Sequence, residues 1–149
     1  MQNISADAYT KPFPHIVFHN FYTDEELDLI WEELNFYTKP NKLFDVEDYM
    51  GVVGYTKAKA LHLDSVYTGK NRVLSNILEV SRKVFDDQIL EPFSNLDDCC
   101  TFAKSTNYDH TKVRYYHNGD YYKSHTDTYF EFLAFSYFYK EPKRFEGGN

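Results

Sequence analysis

The chain has 149 residues, 42% hydrophobic and 26% charged, which is enough for one ordinary folded domain and excludes a disordered polymer. Its formal net charge of −7 argues against a broad nucleic-acid groove, which needs a basic field facing phosphate. Met1–Tyr9 carries no apolar signal core and no apolar run reaches bilayer length, so the expectation is a soluble cytoplasmic protein with neither membrane nor nucleic acid as partner.

Residues 1–14 are polar, with Pro12 and Pro14, and read as an extended lead-in. His15–Phe21 is short and β-prone, a predicted strand. Thr23-Asp24-Glu25-Glu26 then matches a capping box, with Thr23 as N-cap and Glu26 three residues on. Tyr22 and Leu27 sit where a hydrophobic staple would place them. Leu27, Ile30, Trp31 and Leu34 fall on one stripe, which predicts a helix over about 24–37, with Pro40 beyond it. Phe44–Tyr49 alternates weakly, and Gly51–Gly54 reads as a strand between turns. Val73, Leu74, Ile77, Leu78, Val84 and Phe85 recur at helical spacing and predict a second helix over about 71–90, with Pro92 past its end.

After that the period changes to two. Thr101–Ser105, Lys112–Tyr116, Asp120–Asp127 and Glu131–Tyr139 read as strands, and Asn118-Gly119 is a turn signal between two of them. The aromatic content of 19%, with 14 Tyr and 13 Phe, leans the same way. Cys99 and Cys100 are adjacent, a spacing that does not readily meet disulfide geometry, so a reducing compartment is expected. No repeat or low-complexity linker divides the chain. The reading is a single α+β domain over 1–149, with a helical lead-in at about 1–95 and a strand-rich part at about 100–149.

The stretch that carries chemistry is Tyr116-His117-Asn118-Gly119-Asp120-Tyr121-Tyr122-Lys123-Ser124-His125-Thr126-Asp127. In a strand, residues i and i+2 point to one face, so His125 and Asp127 would project an imidazole and a carboxylate side by side. Non-haem iron(II) oxygenases use such a pair with a second His and leave the opposite face of the metal open. By itself H-x-D is a weak signal; its setting adds weight. The run Y-x-x-G-x-x-Y-x-x-H-x-D, from Tyr116 through Gly119 and Tyr122 to His125 and Asp127, resembles the metal-binding segment of the prolyl 4-hydroxylase-like iron(II)/2-oxoglutarate-dependent dioxygenases. Phe132–Phe138 resembles the strand that follows in that family, and Phe145-Glu146-Gly147-Gly148 its F-x-G-G turn. Pro14–Phe18 and the capped helix resemble the entry to the domain.

That resemblance implies a partial double-stranded β-helix, or jelly roll, with N-terminal flanking helices. In such a barrel the Asn118-Gly119 turn passes the chain between sheets instead of closing a flat hairpin. It implies His125 and Asp127 as metal ligands and catalytic residues. Tyr116 would reach the distal carboxylate of 2-oxoglutarate, with Tyr115 as the fallback, and Tyr122 would line the substrate mouth. The implied cofactors are iron(II), 2-oxoglutarate and ascorbate. The implied reaction hydroxylates a prolyl or other side chain of a protein, peptide or amino acid while 2-oxoglutarate becomes succinate and carbon dioxide.

The family's second His and its carboxylate-binding Arg or Lys lie further on than Asn149, so the expectation is a truncated barrel completed by a C-terminal segment or a partner chain. Among the earlier histidines, His62 of His62-Leu63-Asp64 is the second metal candidate, although its flanking leucines suit a packed strand. The alternatives are an inactive barrel fragment binding a small acid or a partner, and a metal-independent β-domain in which His125 and Asp127 are only hydrogen-bonded. A zinc hydrolase is disfavoured because no H-E-x-x-H helix occurs.

Overall fold

Thr23 starts the first helix as its sequence predicts. Its side chain accepts from the Glu26 N–H at 3.2 Å, while the Glu26 carboxylate accepts from the Thr23 N–H at 2.8 Å. The computed structural model describes residues 3–46, 54–106, 109–125 and 133–139. Helix α1 runs over Asp24–Tyr37, with Asp24, Glu25 and Glu26 at the positive end of its dipole. Lys83 reaches across to the same end, donating to Glu26 and to the Phe21 carbonyl, each at 2.7 Å. Burial raises the Glu26 carboxyl, but the Lys83 ammonium and the Thr23 N–H outweigh it and hold it below its ordinary value.

The buried face of α1 is Ile30, Glu33 and Tyr37, with Leu34 partly buried beside them. Glu33 is an acid at a core position, and its carboxylate is fully engaged. Tyr37 and Ser75 hydroxyls donate to Oε1 at 2.7 Å each, and the Ile77 N–H donates to Oε2 at 2.9 Å. The Tyr67 hydroxyl lies 2.9 Å from that of Tyr37. Burial, Tyr67 and Glu33 together push the Tyr37 phenol far above its ordinary value. Its one proton is therefore donated to Glu33, and the Tyr67 hydroxyl donates to the Tyr37 oxygen in turn. Around this network lies the apolar core of Tyr37, Leu43, Leu61, Leu63, Leu78 and Val113.

Helix α2 is the single turn Leu63–Val66. The continuous helix predicted over 71–90 is broken instead. A 3₁₀ helix over Gly69–Leu74 precedes α3 (Asn76–Ser81), and a 3₁₀ turn over Arg82–Phe85 precedes α4 (Asp87–Ser94). The breaks fall at Ser75, whose hydroxyl caps α3 by accepting from the Leu78 N–H, and at Asp86, the extended residue before α4. Val73 and Leu74 are consequently exposed, and Pro92 lies inside α4. Thr101–Ser105, predicted as a strand, belongs to a 3₁₀ helix over Asp98–Ser105. Local bonds favour it: the Asp97 side chain accepts from Cys99 N–H, Thr101 donates to the Asp98 carbonyl and Ser105 to that of Phe102. Cys99 and Cys100 are both free thiols.

Among the described residues, three small antiparallel sheets complete a mixed helix-and-strand fold. Strand β1 (Ser5–Tyr9) pairs with β2 (His15–His19), so the extended lead-in folds back as a hairpin. Strands β3 (Phe44–Asp45), β5 (Lys59–His62) and β6 (Lys112–Tyr115) form a second sheet, and β4 (Thr56–Lys57) pairs with β7 (Tyr121–Tyr122) in the third. β7 is shorter than the strand predicted over 120–127, and Thr126 and Asp127 lie outside the described residues. So do residues 47–53, where further strand was predicted, and 140–149, which hold the F-x-G-G run.

Of the last predicted strand, the described part, 133–139, has no regular secondary structure. Its contacts run to α1 through side chains. Phe138 lies 5.9 Å from the rings of both Tyr22 and Trp31, and Ser136 is 2.8 Å from the Tyr22 hydroxyl. No described helix is long and apolar enough to cross a membrane.

Glu33 generates the first prediction. Glu33→Gln keeps the volume but turns amide hydrogens toward buried donors, so it should lower stability by at least about 2 kcal/mol. The midpoint of urea unfolding measures this, with the surface change Glu32→Gln close to neutral.

Candidate functional site

The predicted site residues are positioned by one extended run, 56–62. Its second half pairs with β6 (Ala60↔Arg114, Leu61↔Val113) and its first half with β7 (Thr56↔Tyr122, Lys57↔Tyr121). β6 and β7 therefore do not pair with each other, and the Asn118-Gly119 turn hands the chain from one sheet to the next. Residues 116–120 bulge out opposite Ala58. The bulge closes on itself: the Asp120 N–H donates to the His117 carbonyl at 3.0 Å, and the His117 N–H donates to Asp120 Oδ2 at 2.8 Å. Gly119 takes φ 82°, a left-handed value suited to glycine. Lys57 Nζ lies 3.3 Å from Asp120 Oδ1. The His117 N–H, and after it Lys57, hold the Asp120 carboxyl below its ordinary value against the opposing effect of burial.

Directly paired residues share a face, and so do alternate residues of one strand. Thr56, Ala58 and Ala60 thus share a face with Arg114 and Tyr122, whereas Leu61 and Val113 turn to the apolar core. The Arg114 guanidinium stacks over the Tyr122 ring at 4.5 Å from its centroid, and its Nη1 lies 3.5 Å from the Tyr116 hydroxyl. Tyr115 faces away, edge-on to His117 with centroids 4.6 Å apart. Of the two tyrosines named for the cosubstrate, Tyr116 is the one that shares the Arg114 cluster with Tyr122.

His125 completes the cluster. Its Nδ1 is 3.0 Å from the Lys123 carbonyl and its Nε2 is 2.8 Å from the Tyr122 hydroxyl. A carbonyl only accepts, so Nδ1 carries the proton in the neutral ring, and Nε2 presents its lone pair to the Tyr122 O–H. Metal-ligating histidines commonly use this arrangement, with the far nitrogen donating to a backbone carbonyl. Asp127 lies outside the described residues, so His125 is the one expected ligand whose surroundings can be described. Its tautomer suits a divalent metal once the Tyr122 hydroxyl rotates away. Among the described residues there is no group of three or more His, Cys, Asp or Glu able to hold a metal ion.

The second metal candidate fares worse. His62 ends β5 and Asp64 lies in α2, so the extended geometry that aligns i and i+2 stops between them. Asp64 is committed to Arg72 and to the Thr111 N–H at 2.6 Å, and Arg72 also holds Asp109 at 3.0 Å. His62 Nδ1 instead meets His110 Nε2 at 2.9 Å. Burial, then His110, Lys112 and Arg114, lower the His62 pKa, and Asp64 only partly offsets them.

Sequence reading missed Arg114. Its spacing of two from Tyr116 in an extended run is the signal that could have found it. A depression of about 460 Å³ lined by Ser94, Asp97 and Thr101 shares no residue with this cluster.

Two predictions follow from the histidines. The unfolded chain takes up a proton at His62 before the folded protein does, so stability is complete above pH of about 6.5 and falls as pH drops from there through the lowered folded value. Urea midpoints between pH 7.5 and 5, at about half-unit steps, should show the fall and its reduction in His62→Gln. For His125, long-range ¹H–¹⁵N spectra should show the Nδ1–H tautomer, and Tyr122→Phe should shift Nε2 without changing it.

Comparison with protein-family models, with curated proteins and with solved structures gives no match for this chain.

Proposed function

We propose that this chain is an iron(II)- and 2-oxoglutarate-dependent oxygenase that hydroxylates a prolyl or other amino-acid side chain, in a cytoplasmic setting. The observation that supports this most is the setting of His125: its Nδ1 lies 3.0 Å from the Lys123 carbonyl and its Nε2 2.8 Å from the Tyr122 hydroxyl. It stands in the segment whose spacing resembles the family's metal-binding run, beside the two tyrosines that the resemblance assigns to cosubstrate and substrate.

When bound, iron(II) with 2-oxoglutarate supplies oxygen activation, coupling formation of succinate and carbon dioxide to hydroxylation of a C–H bond. The chain's own part is placement. His125 and Asp127 would hold the metal, and the Lys123 carbonyl keeps the imidazole proton on Nδ1. The Tyr122 hydroxyl donates to Nε2 and helps to orient the ring. Tyr116 would face the cosubstrate, and ascorbate would serve as accessory reductant. An acid-binding module without catalysis is the second reading, because the Arg114–Tyr122–Tyr116 cluster has the composition of an acid site whether or not a metal binds.

Mn²⁺ titration of the purified chain followed by water-proton relaxation should give a single tight site. His125→Ala and Asp127→Ala should each weaken it by more than about tenfold, with Tyr122→Phe affecting it less. With iron(II), 2-oxoglutarate and oxygen, succinate should form and be lost in both ligand variants. Mn²⁺ binding that is indifferent to both substitutions overturns the proposal.

A further inference from the structure

We propose that Cys99 and Cys100 form a two-point site for trivalent arsenic carrying one further substituent, R–As(OH)₂, held through two As–S bonds. The site stands apart from the oxygenase reading and shares no residue with the His125 cluster.

The 3₁₀ helix over Asp98–Ser105 positions the two thiols. With three residues per turn, neighbours project from adjacent faces and residues three apart share one. Cys100 stands with Ala103 on the buried face, 3% and 0% exposed, while Cys99 stands on the next face, open to solvent. The two sulfurs nevertheless meet, 3.8 Å apart. A disulfide needs about 2.05 Å and a Cβ geometry that neighbours in a regular helix do not reach. Two sulfurs bonded to one central atom stand farther apart: at about 2.3 Å each, the usual thiolate–zinc length, a tetrahedral angle separates them by about 3.8 Å. The observed spacing thus suits one bridging atom better than a direct bond. Cys99 gives that atom its way in, and Cys100 supplies a second, shielded anchor.

The surroundings narrow the choice of bridging atom. Asp97 caps the helix by accepting from the Cys99 N–H at 3.0 Å, and it also accepts from the Cys99 thiol. The Asp97 carboxylate, and after it burial and Cys100, push that thiol up to about 11. Cys99 is therefore protonated at neutral pH, which blunts attack on oxidants and capture of a metal cation, since the cation must displace the proton. A metal cation also wants more donors, and among the described residues no group of three or more His, Cys, Asp or Glu could hold one. An arsenous acid asks for neither. Trivalent arsenic with one substituent has two places left, and the condensation is R–As(OH)₂ + 2 R′SH → R–As(SR′)₂ + 2 H₂O. Two As–S bonds form and two As–OH bonds break. The thiol protons leave in water, and no oxidation state changes. A pair of protonated thiols with no third donor matches that stoichiometry.

The test is native mass spectrometry of the full, reduced chain with phenylarsine oxide as probe. One equivalent should add, with a mass gain of one reagent less one water. The adduct should survive excess 2-mercaptoethanol and be stripped by 2,3-dimercaptopropanol, which offers arsenic two sulfurs of its own. C99S and C100S should each lose at least about a hundredfold in affinity, because the second As–S bond is intramolecular. C99S changes an exposed side chain, so its result does not depend on how a change at the buried Cys100 folds. Affinity should be flat between about pH 6 and 8, since water and not a proton is released. An adduct that 2-mercaptoethanol removes, an adduct of C99S as stable as that of wild type, or addition that occurs only in urea each overturns the inference. Isolation of the chain with the two sulfurs already joined as a disulfide does the same.

Discussion

The bulge at 116–120 is the constraint on which the rest of the site depends. Lys59 pairs with Tyr115 and Lys57 with Tyr121, so the loop between those partners must be accommodated opposite Ala58 alone. An insertion of that size would ordinarily end the pairing. Here it persists because the loop satisfies its own polar groups: the turn bond at His117 and Asp120, and the Asp120 carboxylate on the His117 N–H and near Lys57. Once pairing resumes, Tyr122 lands on the face that carries Arg114. Without the bulge β6 and β7 would be one strand or a flat hairpin, and the guanidinium would have no ring beneath it.

A second constraint holds the opposite side of the sheet. The face carrying Leu61 and Val113 is pinned against α1 and α3 by the core around Leu63 and Leu78. Glu33 ties the two helices together through Ser75 and Ile77. A buried carboxylate is costly unless its oxygens are engaged, so this network fixes the register between helices more strictly than apolar contact alone would. The run 56–62 is thus held on one face by this core, while on the other Ala58 and Ala60 pack in a small buried cluster with Val46.

What could be read from the sequence divides along the range of the interactions involved. Helix α1 and its capping box were legible because Thr23, Glu26 and the apolar stripe act within a few residues of one another. The interruption of the 71–90 helix was not, because the apolar period runs on through Ser75 and Asp86, and only tertiary use makes them caps. The role of Glu33 was not legible either, because it depends on partners more than 40 residues away, at Ser75 and Ile77. The 98–105 segment was misread because Thr and Phe favour strands in general, while Asp97, Thr101 and Ser105 bond their own backbone here. At the site, two-residue spacing singled out His125, while Tyr116 and Tyr122 were named only by the resemblance. The placing of Arg114 against the Tyr122 ring needed the register.

The state of His125 follows from that register. The Lys123 N–H donates to the Tyr55 carbonyl at 2.9 Å, continuing the β4–β7 pairing one step past the strand. This fixes the Lys123 peptide, whose carbonyl takes the His125 Nδ1–H. The orientation of the imidazole is therefore set by backbone hydrogen bonds that trace back to the run 56–62, not by the mobility of its own side chain. The same strand pairing that seats Tyr122 under Arg114 also orients the His125 ring, so both ends of the cluster share one structural origin.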